Sequence, residues 1–244
     1  LEAAGPSLKI IANYAVGFDN IDLVAAKRRK IPVTNAPAPE VSESVAEHTI
    51  ALMLGLAHRL VESDRFTRSG KYTGWSPDLF IGTDLRHKTL GIIGLGRIGY
   101  AVARRAVLGL GMRCVYHTPR RDPIFEQEIG GTFTSLDRLL ETSDVVSLHV
   151  PLLPSTRHLI STDALSLMKQ TAFLINTARG PIVDEKALLR ALKTKRIAGA
   201  ALDVFADEPQ PNPALVAHPQ VLATPHIAGS TEDARRSAAL TAAE

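Results

Sequence analysis

Three polar residues stand just past apolar runs in the last third of the chain. Arg179 lies in Asn176-Thr-Ala-Arg179-Gly180, Glu208 in Leu202-Asp-Val-Phe-Ala-Asp-Glu208-Pro209, and His226 in Thr224-Pro-His226-Ile-Ala-Gly229. A carboxylate beside an imidazole favours its protonated form, giving a proton donor usable near neutral pH. A guanidinium presents two parallel donors to a carboxylate. Singly, each reads as a surface arginine, a solvated glutamate or a core histidine. Delivered to one place, they are candidates for a single site.

A second constellation is Gly94-Leu-Gly96-Arg97-Ile98-Gly99, which follows the apolar run Leu90–Ile93 and opens a helical pattern. Glycine clusters occur in ordinary turns, but strand before, helix after and a further strand within about thirty residues is the dinucleotide-binding context. Gly94 permits the tight turn, Gly96 clears the approach of a pyrophosphate, and Gly99 lets the helix settle on the strand. The next strand, Met112–His117, is followed by Thr118-Pro119-Arg120-Arg121, with no acid until Asp122. An acid there would bind ribose hydroxyls, whereas a hydroxyl and two guanidiniums suit a 2′-phosphate. Thr118, Arg120 and Arg121 therefore predict NADP(H) preference with NAD(H) possible, against the alternative of a solvated turn.

These residues need a scaffold. Strands are expected at Leu90–Ile93, Arg113–His117, Val145–His149, Ala172–Asn176, Ala198–Asp203 and Val221–Ala223, with helices at about Arg97–Leu108, Leu136–Glu141, Thr162–Met168 and Asp184–Thr194. The strands are continuous apolar runs, as in a parallel sheet covered by helices on both faces. That is an α/β, doubly wound, Rossmann-like domain, and its ligands sit at the carboxyl ends of strands, where Arg179, Glu208 and His226 fall. Upstream, Leu8–Asn13 and Ile31–Asn35 read as strands around a helix at Leu23–Arg29. Ala36-Pro-Ala-Pro39 reads as a loop, and a long helix runs from Ser44, capped by Ser44 and Glu47, to Arg68. Its apolar residues spread over several sides, so it is buried either in a core or between subunits. Gly70–Arg86 is a turn-rich linker.

The 244 residues are 45% hydrophobic and 22% charged, which excludes a disordered or fibrous chain. The longest uncharged apolar stretch, Thr49–Ala57, is too short for a bilayer, so no membrane span is expected. Although the pI is near 9.1, the net charge is only +3 and aromatics are 5%, with no basic stripe, so nucleic acid is not an expected partner. No metal site is assigned. One cysteine, Cys114, fits a reducing compartment, and without an export leader the expected location is the cytoplasm.

Six motifs occur in order: Ala15-Val16-Gly17 with Asp19-Asn-Ile-Asp22, Val45-Ala-Glu-His-Thr49, Gly91–Gly99, Ser147-Leu-His149-Val-Pro151, Asn176–Gly180 and Pro225–Gly229. On these the chain resembles, over essentially its whole length, the D-isomer-specific 2-hydroxyacid dehydrogenases, and among them the glyoxylate/hydroxypyruvate reductases. The resemblance implies hydride transfer between a nicotinamide and C2 of a 2-oxo or 2-hydroxy acid, in a homodimer. It implies that Arg179 binds the substrate carboxylate, that His226 protonates the carbonyl oxygen, and that Glu208 bonds the far imidazole nitrogen. Ala15, Val16 and Gly17 would offer amides to the same carboxylate. His149, Pro151, Thr156, Thr177, Ala178, Asp203 and His226 would join Gly94, Gly96, Arg97, Ile98 and Gly99 around the cofactor, Asp203 near its carboxamide. Trp75 resembles a segment that reaches a neighbouring subunit's site; the alternative is a loop tryptophan covering its own domain. Formate dehydrogenases carry glutamine where Glu208 stands, so glutamate favours ketone/alcohol chemistry.

The implied organisation is a partial, flavodoxin-like substrate domain over residues 1–75, a dinucleotide domain over 76–228 and a return segment over 229–244. Family members begin with a longer amino-terminal stretch. The chain is expected to open within the helix preceding Leu8 and to stop short of the family's closing helix. The rivals are an NAD-linked relative of phosphoglycerate or D-lactate type, and a corepressor-like nucleotide sensor.

Overall fold

The computed structural model describes Gly5 and residues 7–244; the helix expected ahead of Leu8 lies outside the described residues. Two compact units emerge, one of Leu1–Val45 with Gly229–Glu244, the other of Ala46–Ala228. In the first, β1 (Ile11–Asn13) and β2 (Val33–Asn35) pair in parallel around α1 (Leu23–Arg28). A twelve-residue helix, which we number α10 (Glu232–Ala243), also belongs here, where the sequence reading expected no closing helix. Thr231 caps it, and the Tyr14 hydroxyl donates to the Arg235 carbonyl at 2.7 Å.

The second unit is a seven-stranded parallel sheet. Its strands are β3 (Thr89–Ile93), β4 (Arg113–His117), β5 (Thr132–Phe133), β6 (Val145–Leu148), β7 (Phe173–Asn176), β8 (Gly199–Leu202) and β9 (Val221–Ala223). They lie in the order β5-β4-β3-β6-β7-β8-β9, the doubly wound arrangement whose direction reverses beside the first strand. Of the six expected strands, Arg113–His117 and Val221–Ala223 have the expected bounds, the other four are off by one residue at one or both ends, and β5 was missed.

Helices cover both faces. On one side α6 (Leu136–Thr142), α7 (Thr162–Leu167), α8 (Glu185–Lys193) and α9 (Pro213–Val216) bury Leu139, Leu165, Leu188 and Leu215. On the other, α2 (Pro39–Ala57), α4 (Arg97–Arg104) and α5 (Pro123–Ile129) bury Met53, Val102 and Phe125. Side-chain oxygens of Asp122, Ser135, Ser161, Asp184 and Asn212 accept first-turn amides of α5 to α9, which fixes where these helices start. Beyond α4 the chain passes through one π-helical turn, Arg105–Gly109.

The long helix departs from expectation at both ends. It begins at Pro39, not Ser44, because proline lacks the amide that a first turn leaves unpaired. Ser44 is buried in the helix interior instead of capping it. Nor does the helix reach Arg68: it stops at Ala57, and α3 (Leu60–Arg68) begins after Arg59 in a left-handed conformation with φ 55°. The Ala57 carbonyl accepts from the Thr83 amide at 2.8 Å, so the returning linker takes the place of the next helical turn. Within the second unit α2 is a core helix, with Leu52 and Met53 buried.

Candidate active site

The glycine loop has the geometry that close approach requires. Gly94, at φ 95°, sits where a Cβ would lie 2.8 Å from the His149 carbonyl, and a Cβ on Gly99 would lie 2.2 Å from the Gly94 oxygen. A Cβ on Gly96 would meet nothing within 4 Å, so this face is open to a phosphate. Gly96 also precedes the first turn of α4 and makes no side-chain cap bond, and a helix amino-terminus favours an anion. The residues thus fit a dinucleotide, with Arg97 exposed and Ile98 half-buried at the mouth of the helix.

At the far side of β4, Thr118 is half-buried and Arg120 exposed, but Arg121 is engaged. Its Nε and Nη2 donate to Glu126 of α5 at 2.8 and 2.6 Å, and the Tyr116 hydroxyl adds a bond to the same carboxylate at 2.8 Å. The guanidinium beside Glu126 draws its carboxyl down to about 2. The expected three-residue clamp therefore has one arm already paired.

Beyond β6, desolvation pushes the His149 imidazole down to about 3, so the ring is neutral, and its Nε2 lies 2.9 Å from Ser147 Oγ. The Thr156 hydroxyl donates to the Pro151 carbonyl at 2.6 Å and accepts the Leu153 amide, closing that loop on itself.

The chemistry-bearing loops follow three adjacent strands, β7, β8 and β9. Neighbouring strands lie about 4.8 Å apart, which brings the three loop starts within about 10 Å. After β7, buried Asn176 accepts the Ala178 amide at 3.0 Å and donates to the Arg179 carbonyl at 2.9 Å, bending the chain so that half-buried Arg179 leaves the sheet edge. Next to it Gly180 touches the following loop so closely that a Cβ would lie 1.8 Å from the Phe205 carbonyl carbon. That loop carries Glu208, whose Oε1 accepts the Phe205 amide at 2.9 Å and whose Oε2 lies 2.7 Å from His226 Nδ1. With Nδ1 bound, His226 has Nε2 left for a substrate, and its side chain is 49% exposed.

His226 stands at φ 55°, a conformation disfavoured for a residue with a side chain. Its amide donates to the Asp203 carbonyl at 2.8 Å. The wholly buried Asp203 carboxylate accepts the Thr224 hydroxyl at 2.6 Å and the Ile227 and Ala228 amides at 2.9 Å each. Burial works to raise this carboxyl, but the His48 and Thr224 side chains and those two amides outweigh it and hold it below the usual range. Asp203, expected at the carboxamide of the cofactor, is thus bonded to the turn that presents His226. Sequence reasoning missed two residues of α2 that touch these loops. His48 Nε2 lies 3.2 Å from Thr224 Oγ1, and buried Thr49 Oγ1 lies 3.0 Å from Thr177 Oγ1. Only their membership in Val45–Thr49 pointed to them.

In the first unit, the carbonyls of Ala15, Val16 and Gly17 are turned inward. They accept from the Ala36 amide at 2.9 Å and from Asn35 and Asn13 Nδ2 at 2.7 Å each. The Ala15 amide, expected to face a substrate carboxylate, instead donates to the Asn13 carbonyl at 2.8 Å, which tightens the turn. Trp75, in the second unit, is 83% exposed and does not cover its own domain. Among the described residues no cluster of His, Cys and acids is suited to a metal, and no helix is long and apolar enough to cross a membrane.

Residues 50–228 match the profile of the D-isomer specific 2-hydroxyacid dehydrogenase NAD binding domain. The glyoxylate reductase of Thermococcus litoralis is 48% identical over 238 residues, covering 96% of this chain and 71% of that protein. An NADPH-dependent glyoxylate/hydroxypyruvate reductase from Sinorhizobium meliloti, solved with NADP and malonate, superposes with a TM-score of 0.89 at 37% identity, covering 99% of this chain and 74% of that one. A D-lactate dehydrogenase from Aquifex aeolicus, solved with NAD and lactic acid, gives 0.87 at 38%, covering 99% and 76%. A glycine cradle, a carboxylate-bound histidine and an arginine on parallel strand ends accord with that kinship, and the chain belongs to the D-isomer specific 2-hydroxyacid dehydrogenases.

Proposed function

We propose that this enzyme reduces glyoxylate and hydroxypyruvate to the corresponding D-2-hydroxy acids, with His226 as proton donor and Arg179 as carboxylate anchor. The observation that carries the reading is the 2.7 Å contact between His226 Nδ1 and Glu208 on neighbouring strand ends. When bound, a reduced nicotinamide supplies the hydride. Gly94, Gly96, Arg97, Ile98 and Gly99 would hold its pyrophosphate. His149, Pro151, Thr156, Thr177, Ala178 and Asp203 are the remaining candidates for its contacts. Arg179 takes the oxoacid carboxylate through parallel donors and draws electron density from the adjacent carbonyl. As charge develops on the carbonyl oxygen, the proton on His226 Nε2 moves to it, while Glu208 holds the ring through Nδ1. The half-exposed imidazole then regains a proton from water.

For the cofactor we favour NADP(H), with Thr118 and Arg120 as the freer arms of the clamp. The Arg121–Glu126 pair supports a second reading, NAD(H), because it withdraws one cation from a 2′-phosphate. We further infer a homodimer in which the exposed Trp75 meets the other subunit, and a cytoplasmic setting that keeps Cys114 reduced. The direct test is oxidation of NADPH and NADH against a panel of 2-oxoacids, repeated with His226→Gln. Glyoxylate and hydroxypyruvate should lead the panel, and the variant should lose about 10²-fold or more in kcat. Near-normal turnover by the variant removes His226 from its role, and no turnover by the parent favours a nucleotide-sensing protein.

A further inference from the structure

Among the described residues β9, whose loop carries His226, is an edge strand bonded only to β8. The turn beyond it is therefore supported from one side by the sheet, yet it holds His226 in a disfavoured backbone conformation. Something else must supply the missing support, and α2 is placed to do so. The only hydroxyl proton of Thr224 goes to the ionised Asp203 carboxylate, which has none to return. Thr224 Oγ1 can then only accept from His48 Nε2, 3.2 Å away, and this fixes the hydrogen on that ring nitrogen. One residue along the helix, wholly buried Thr49 meets Thr177, two residues before Arg179. A single step of α2 thus reaches both loops that bear the chemistry.

We propose that His48 and Thr49 are positioning residues for the reaction: His48 holds the His226 turn through Thr224, and Thr49 holds the Arg179 turn through Thr177. This rests on the roles proposed above for His226 and Arg179. The two contacts act on different steps, which separates them from general support of the fold. Loosening the proton donor slows the chemical step, whereas loosening the anchor weakens substrate binding.

The test measures kcat, KM for glyoxylate and Tm in the full chain for His48→Leu, His48→Gln, Thr49→Val and Thr49→Ser, with His226→Gln alongside. His48→Leu should lower kcat about 10- to 100-fold, the size expected for misplacing a reacting group by about 1 Å, and leave KM within about threefold. His48→Gln keeps a donor and should recover most of the loss. Thr49→Val should instead raise KM about tenfold with a smaller effect on kcat, and Thr49→Ser should restore it. Wild-type kcat in His48→Leu, or equal changes in kcat and KM in both variants, overturns the proposal. If His48→Leu does not fold, His48→Asn, polar but too short to reach Thr224, takes its place while the Thr224–Asp203 bond is kept, and the same kcat loss or its absence decides. Should His226→Gln retain turnover, the underlying assignment fails; should it alone be inactive, only the positioning role fails.

Discussion

The contact between Gly180 and the Phe205–Ala206 peptide gives the sharpest mutational forecast. A methyl group at Gly180 would lie 1.8 Å from the Phe205 carbonyl carbon, 2.0 Å from its oxygen and 2.4 Å from the Ala206 nitrogen. Carbon atoms pack at about 3.5–4.0 Å, so the two loops must part by roughly 2 Å. Both sides of the contact are backbone, so no side chain can swing away to relieve it. Arg179 sits on one loop and Glu208 on the other, and their spacing changes by the same amount. Misplacement by about 1 Å can cost 10²-fold, so Gly180→Ala should lower kcat/KM by at least about 10²-fold, or about 2.7 kcal/mol in transition-state binding. Overpacking should also remove about 1–3 kcal/mol of stability, a fall of several degrees in Tm. Steady-state reduction of glyoxylate and a thermal melt measure both. Gly109→Ala is the control, since a Cβ there meets nothing within 4 Å. A folded Gly180→Ala enzyme with kcat/KM like that control would refute the idea that this close approach sets the site.

Further outcomes follow from single contacts. Asn176→Asp keeps the shape but replaces the donor that holds the Arg179 carbonyl at 2.9 Å by an acceptor; KM for the oxoacid should rise about tenfold, with a cost of about 1–3 kcal/mol in urea unfolding. Glu126→Gln should loosen Arg121 and raise the NADPH-over-NADH ratio in kcat/KM; an unchanged ratio would leave Arg121 outside cofactor selection. Because the folded-state value of Glu126 is depressed to about 2, its contribution is complete above the unfolded carboxylate value and fades as pH falls through the folded one. The parent should therefore lose stability relative to Glu126→Gln between about pH 4.5 and 2, as followed by pH-dependent melts. Burial pushes the Cys114 thiol up to about 12, so it should stay unreactive toward a thiol reagent at neutral pH until the protein unfolds.

Strands β3, β6 and β8 were legible because each is a short run buried on both faces, and the glycine loop because its three glycines meet different steric demands. What escaped was decided by contacts distant in sequence. Arg121-Asp-Pro123 reads as a turn, yet Asp122 caps α5 and Pro123 occupies its first turn. The two residues of β5 are both exposed and carry no burial pattern. Ser44 and Glu47 have the spacing of a capping box, but the burial of Ser44 and a start at Pro39 override it. The break at Arg59 depends on the linker peptide at Thr83, which local propensity does not contain. At the site, Arg179, Glu208 and His226 were visible as polar residues at strand ends. The service of Asp203 to the His226 turn and the reach of His48 to Thr224 were not, because they join helix, strand and loop only after folding.

The strand order has a consequence for how such enzymes diversify. The arginines beyond β4 and the histidine beyond β9 are separated by four intervening strands, or about 24 Å of sheet. On the roles proposed above, selection of the electron carrier and handling of the acid would be written on remote rims of one scaffold. Either can drift, be grafted or be exchanged while the other keeps its geometry, so a lineage can change its redox currency without relearning its chemistry.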